Sequence, residues 1–139
     1  IRVVADKPLR NVNIKTMSYP GFPTDLQPQM AALLSVCQGT NIITENVWEN
    51  RFQYIDELRR MGANITVDGR VAVIEGVPFL TGSQVSATDL RAGAAMILAA
   101  LAAKGETCIE NTKYIDRGYE NVEQKFSALG ADIKRVKIY

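Results

Sequence analysis

Two aspartates and two arginines recur at matched places along this chain. Asp25 ends the stretch Tyr19-Pro20-Gly21-Phe22-Pro23-Thr24, Asp89 follows Ala87-Thr88, and each stands where a helix is expected to begin. Arg51 and Arg117 lie near the start of the next expected helix in each case. A carboxylate at a helix start can simply stabilise the unpaired N–H groups there, worth about 1 kcal/mol, or serve as a fixed acidic group for chemistry. Arginines in such places are solvated surface charges or, when gathered, a compact anion site. Around Asp25 two prolines and a glycine predict a stiff loop with few hydrogen bonds. Thr24 and Gln27 have the spacing of a capping box, which puts the helix start at Thr24 or Asp25. Both readings of Asp25 stand at this point.

Composition narrows the chemistry. The 139 residues are one domain's worth of chain, with 16 basic and 15 acidic side chains and a net charge of +1, so neither a nucleic-acid coat nor a membrane surface is indicated. Histidine is absent, which removes imidazole bases, histidine metal ligands and imidazole-dependent triads. Cys37 and Cys108 sit in apolar contexts without paired spacing, so both are expected as small buried groups in a reducing, cytoplasmic setting. The apolar run from Ala92 to Ala103 is too short to span a bilayer and suits a buried helix. No signal peptide is visible, although a chain beginning at Ile1 is also consistent with a fragment.

The elements that must position these side chains follow from periodicity. Residues 1–16 predict two strand pieces around Lys7-Pro8. Leu26, Met30, Leu33, Leu34 and Cys37 have helical spacing ended by Gly39, and Thr40 to Thr44 is strand-like. After a polar loop, Tyr54, Ile55, Leu58 and Met61 mark a second helix ended by Gly62. Ile65 and Val67 lead into a hairpin at Asp68-Gly69, with Val71 and Val73 returning. The pattern then restarts. A strand at Val85, a helix from Thr88-Asp89 to Gly105, a strand at Thr107 to Glu110, a loop from Asn111 to Gly118, a helix through Val122, Phe126 and Leu129, and a strand from Ile133 are expected in turn.

The two passes align residue by residue. Thr24-Asp25-Leu26 matches Thr88-Asp89-Leu90 at an offset of 64, Gly39 and Arg51 match Gly105 and Arg117 at 66, and Gly62-Ala63 matches Gly130-Ala131 at 68. A creeping offset is the mark of a duplicated unit with small insertions, here β-α-β-α-β-β. Residues 1–16 are assigned to strands of a preceding unit, 17–80 to the first repeat unit and 81–139 to a second, incomplete at its hairpin. Equivalent loops of stacked units meet at one end of the core, so the four charged residues are expected on one rim.

Four stretches, YPGFPTDLQPQ, ENVWENRF followed by ELRRMGA, ATDLRAGAA, and YIDRGYE followed by KFSALGA, resemble in order and spacing the UDP-N-acetylglucosamine 1-carboxyvinyltransferase family. The resemblance runs from about Val3 to Val136. It implies an α/β (α+β) fold of repeated units forming part of an inside-out α/β barrel of the enolpyruvyl transferase type. It also implies that the chain is a C-terminal fragment, inactive alone, whose partner is the missing N-terminal portion of the same enzyme.

The family's reaction joins the 3'-hydroxyl of UDP-N-acetylglucosamine to C2 of phosphoenolpyruvate and expels phosphate, without cofactor or metal, in bacterial peptidoglycan synthesis. Carried over, Asp25 is the proton acceptor and contacts the sugar hydroxyl. Arg91 and Arg117 engage the phosphoenolpyruvate anions. Arg51 lies near the nucleotide-sugar cleft, and Val47 meets UDP-N-acetylglucosamine through its backbone. Asp89 belongs to the same site, orienting a lysine or assisting proton transfer, or else caps its helix. Two other readings remain open: another enolpyruvyl transferase such as 3-phosphoshikimate 1-carboxyvinyltransferase, and a non-catalytic repeat module.

Overall fold

The computed structural model describes residues 1–137. Strand β1 (Asn13–Lys15) is followed by a short 3-10 turn (Thr24–Leu26), helix α1 (Gln27–Leu34), β2 (Thr40–Thr44), α2 (Ile55–Arg60) and the hairpin β3 (Asn64–Asp68) and β4 (Val71–Glu75). The order then repeats as β5 (Gln84–Ser86), α3 (Leu90–Ala102), β6 (Cys108–Glu110), α4 (Lys113–Asp116) and α5 (Val122–Ala128). The fold is mixed α/β.

Alternation decides the strands. In TNIIT of β2, Asn41 and Ile43 face inward, and in VAVIE of β4 Ala72 and Ile74 do. The first sheet has the order β1-β2-β4-β3, with β1 parallel to β2 and the other pairs antiparallel. The second sheet is the parallel pair β5-β6. Thus β1 stands to β2 as β5 stands to β6. Buried Asn41 holds the first junction together, accepting from the Val12 N–H at 3.1 Å and donating to carbonyls that include those of Leu34 and Ile74, both at 3.3 Å.

Between the sheets and helices lies one main core. Leu34, Ile43, Ile55, Leu58, Met61, Ile74 and Leu80 are all at most 1% exposed, and each such side chain contributes roughly 1.5–3 kcal/mol of burial. Helix α1 packs on α3, where Ala31, Ala92, Ala95 and Ala99 are buried; their small side chains let the two helices approach closely. That contact sets the first unit's loops beside the second's.

Several expectations need correcting. Residues Ile1 to Val4 form no strand and are exposed. Helix α1 stops at Leu34 rather than near Cys37, because the hydroxyl of Ser35 bonds the Ala31 carbonyl at 2.8 Å and the chain turns out to Gly39 at φ +100°. The hairpin turn is Gly69-Arg70, one residue later than expected, since Asp68 already pairs with Val71 and Gly69 takes φ +56°. The expected loop from Asn111 to Gly118 contains α4. No strand forms from Ile133 to Val136; Arg135 instead bridges Asp116 at 2.7 Å and Glu123 at 3.1 Å. The final two residues of the expected second unit lie outside the described residues. Cys37 is buried, which pushes its thiol pKa up and leaves it inert, but Cys108 is exposed on β6, contrary to expectation.

Candidate active site

Asp25 is reached by a loop that folds back on itself. The Met17 N–H bonds the Phe22 carbonyl at 3.0 Å and the Gly21 N–H bonds the Ser18 carbonyl at 2.9 Å, so the loop is less hydrogen-bond-poor than its prolines suggest. Gly21 is needed for this fold, because a Cβ there would meet that of Met17 at 2.4 Å. Pro23, extended at φ −73° and ψ 135°, then feeds the 3-10 turn carrying Asp25.

The expected capping box does not form. The Thr24 hydroxyl donates to Glu45 Oε1 at 2.5 Å, and the Gln27 side chain accepts from the Tyr54 hydroxyl. Asp25 does not cap either. In the second copy Asp89, three residues before Ala92, accepts that residue's N–H at 2.9 Å. The matching residue of the first copy is Pro28, which has no N–H to give. Asp25 is released from the role its repeat partner performs.

Its carboxylate turns instead to two guanidiniums. Oδ1 lies 3.5 Å from Arg51 Nη2 and Oδ2 lies 3.2 Å from Arg91 Nη2, the first from the loop before α2 and the second from the first turn of α3. The Asp25 side chain keeps 55% of its exposure, so it faces solvent while being held from both sides. Arg51 is only 13% exposed and also packs 5.9 Å from the centre of the Trp48 ring. Arg91 donates through Nη1 to the Tyr119 hydroxyl at 3.1 Å. That hydrogen bond first, and Asp25 after it, hold the Arg91 guanidinium pKa above its ordinary value.

Tyr119 arrives by way of Gly118. A Cβ at Gly118 would meet Leu90 Cδ2 at 2.6 Å, so the residue lets the segment after Arg117 lie against the first turn of α3. Below the rim, Tyr54 is 1% exposed, and burial, then the charge of Glu45, raise its pKa well above the usual phenol value, with Arg51 opposing and Asp89 adding to the effect. Glu45, Arg51 and Asp89 therefore all lie within electrostatic reach of one hydroxyl.

The structure brings Asp25, Arg51 and Arg91 into direct contact. Asp89 is nearby but occupied as a helix cap. Arg117 is exposed just beyond α4 and makes no ion pair among the described residues; it borders a recess of about 480 Å³ with Asp116, Tyr119, Glu123 and Arg135. The Val47 side chain is exposed, and its N–H is taken by Glu45 Oε2 at 3.2 Å. An apolar recess of about 510 Å³ lies beside Tyr119, bounded by Ile97, Leu98, Val122, Phe126 and Leu129, and does not include Asp25, Arg51 or Arg91. Glu45, Tyr54, Trp48 and Tyr119 were missed as partners of the site. Glu45 and Trp48 stand inside ENVWENRF and Tyr119 inside YIDRGYE, so the motifs did contain them.

The same mixed α/β fold occurs in a solved enolpyruvyl transferase. The solved enolpyruvyl transferase NikO from Streptomyces tendae superposes with a TM-score of 0.87 at 39% identity, over 97% of this chain and 31% of that one. An EPSP synthase from Acinetobacter baumannii shares the fold at a TM-score of 0.63 and 20% identity, over 94% of this chain and 30% of that one. Residues 1–126 match the family model described as EPSP synthase (3-phosphoshikimate 1-carboxyvinyltransferase), and the chain belongs to that family.

Among curated relatives, UDP-N-acetylglucosamine 1-carboxyvinyltransferase 1 of Clostridium perfringens is 62% identical over 136 residues, covering 98% of this chain and 32% of the relative. UDP-N-acetylglucosamine 1-carboxyvinyltransferase of Desulfofundulus thermocisternus is 62% identical over 135 residues, covering 97% of this chain and 56% of the relative. The chain thus spans a third to just over half the length of these relatives.

Proposed function

We propose that the protein to which this chain belongs transfers the enolpyruvyl group of phosphoenolpyruvate to the 3'-hydroxyl of UDP-N-acetylglucosamine with release of phosphate, in the cytoplasmic synthesis of peptidoglycan precursors. The observation that carries the reading is the Asp25 carboxylate, which caps no helix and is held between Arg51 and Arg91. The names of the relatives supply the acceptor, UDP-N-acetylglucosamine, and the carboxyvinyl group transferred to it.

In this reading Asp25 takes the proton of the sugar hydroxyl as its oxygen bonds to C2 of phosphoenolpyruvate, while C3 gains a proton. The tetrahedral ketal then loses phosphate from C2 and a proton from C3, giving the enol ether. Arg91 and Arg117 hold the phosphate and carboxylate oxygens; guanidinium remains charged and binds oxyanions in a planar fork. Arg51 and the Val47 carbonyl face the nucleotide sugar. Asp89 holds the first turn of α3 and, through it, Arg91.

Replacing Asp25 by Ala in the full-length protein is expected to lower kcat for phosphate release about 10²–10⁴-fold, the usual worth of a general base. A kcat within threefold of the parent would overturn the assignment. The family model's description favours a second acceptor, shikimate 3-phosphate. Phosphate release from phosphoenolpyruvate with each acceptor in turn separates the readings, with turnover expected only for UDP-N-acetylglucosamine.

A further inference from the structure

We infer that Glu45 is a positioning residue whose buried carboxylate clamps Thr24 and Val47, and so fixes Asp25 relative to the backbone that faces the nucleotide sugar. The inference deepens the proposed function and rests on it.

Glu45 follows β2 and is 1% exposed. Its Oε1 accepts the Thr24 hydroxyl at 2.5 Å; its Oε2 accepts the Thr16 hydroxyl and, at 3.2 Å, the Val47 N–H. Thr16 is itself fully buried, and its oxygen accepts the Asn46 N–H at 2.9 Å. One carboxylate thus joins three segments: the end of β1, the turn bearing Asp25 and the loop bearing Val47. Among the described residues it forms no ion pair, so hydroxyl and amide donors supply its hydrogen bonds. A buried acid in that position is a poor stabiliser and a strong constraint on the donors around it.

The second copy of the repeat serves as an internal control. At the offset of 66 that aligns Arg51 with Arg117, the place of Glu45 is taken by Asn111. Asn111 bonds the Ser86 hydroxyl at 2.7 Å, and Thr88, the counterpart of Thr24, has a buried hydroxyl without a partner among the described residues. The clamp is present only where the neighbouring aspartate points outward. Asp25 adjoins Thr24 in the chain, so the tie to Glu45 sets the direction from which its carboxylate projects. A misplacement of about 1 Å in such a group costs on the order of 10²-fold in rate.

The test uses full-length protein. Thr24→Val removes the hydroxyl without changing shape and is expected to lower kcat about tenfold, with KM for both substrates within about twofold, since the loss falls on a group acting in the transition state. Thr24→Ser keeps the hydroxyl and is expected to stay within about threefold of the parent. Glu45→Gln leaves one acceptor oxygen where the carboxylate had two, so it is expected to lower kcat severalfold, with KM for both substrates within about twofold. In an Asp25→Asn background Thr24→Val is expected to add nothing, because its effect runs through Asp25. The inference is overturned if Thr24→Val retains the parent kcat, if Thr24→Ser loses as much as Thr24→Val, or if the Thr24→Val loss persists undiminished in the Asp25→Asn background. Should Thr24→Val not fold, Glu45→Gln decides, a parent-like kcat in folded protein counting against the clamp. Parent-like kcat in Asp25→Asn alone would instead defeat the proposed function, a separate outcome.

Discussion

The same three residues, Thr-Asp-Leu, occur at 24–26 and at 88–90, and the two copies use them differently. In the second, Asp89 is extended at φ −158° and seals the first turn of α3. In the first, Asp25 lies in a 3-10 turn and faces two arginines. Three residues downstream, Ala92 offers an N–H and Pro28 does not. The first copy also carries buried polar groups, Gln27, Asn41 and Glu45 among them, whereas the second buries Ala92, Ala95, Met96 and Ile97.

The sharpest way to break this contrast is to remove each aspartate in turn from the full-length protein. Asp89→Ala is expected to act mainly on stability, by about 1 kcal/mol, visible as a lowered denaturation midpoint. Asp25→Ala should leave the midpoint nearly unchanged while abolishing most turnover. Equal stability losses from both would erase the distinction.

Next in size is the buried phenol of the first copy. Tyr54 has its folded-state pKa raised above that of the unfolded chain, so its contribution is fully present below about pH 10 and is lost as pH rises beyond it, at up to about 1.4 kcal/mol per pH unit. Tyr54→Phe should flatten this alkaline decline. It should also cost about 1–3 kcal/mol at neutral pH, because it leaves buried Gln27 unpaired at both ends of its amide. Urea titrations at pH 8 and pH 10.5 would read both effects.

Smaller again is the expected effect of Pro28→Ala, which restores the N–H that Asp25 lacks. A competing cap should draw the carboxylate inward and lower kcat severalfold, on the order of the 0.5–2 kcal/mol a cap is worth. An unchanged kcat would mean that the missing donor is not what frees Asp25. The smallest change belongs to the second copy's surface. Arg135 holds the Glu123 carboxyl below its usual pKa, and Arg135→Ala should return it upward in a carboxylate NMR titration, with little change in the denaturation midpoint.

Much of this was readable before the structure. Glycines 62, 105 and 130 stop segments as expected, each with positive φ, and strands form at Thr40–Thr44 and after the hairpin turn, where Ala72 and Ile74 rather than Val71 and Val73 are the buried positions. The capping box failed because Thr24 and Gln27 found partners 21 and 27 residues away, in Glu45 and Tyr54, and tertiary bonds outweighed the local motif. Helix α4 was missed because four residues carry too little periodicity to register. Arg91 was recognisable only through its motif, since a single arginine in a helix carries no pattern of its own. The significance of Pro28 was written in the sequence all along: it sits three residues after the aspartate, where the capping donor would have been.

The ion pair between Asp25 and Arg91 joins residues 66 positions apart, one from each copy of the repeat. It is a seam. Neither unit, cut free between Glu75 and Gln84, would possess the site even if it folded, because each would keep only one side of the stitch. A ligand gripping both residues would in turn act as a rivet between α1 and α3, and its binding energy would appear as resistance of the two units to coming apart.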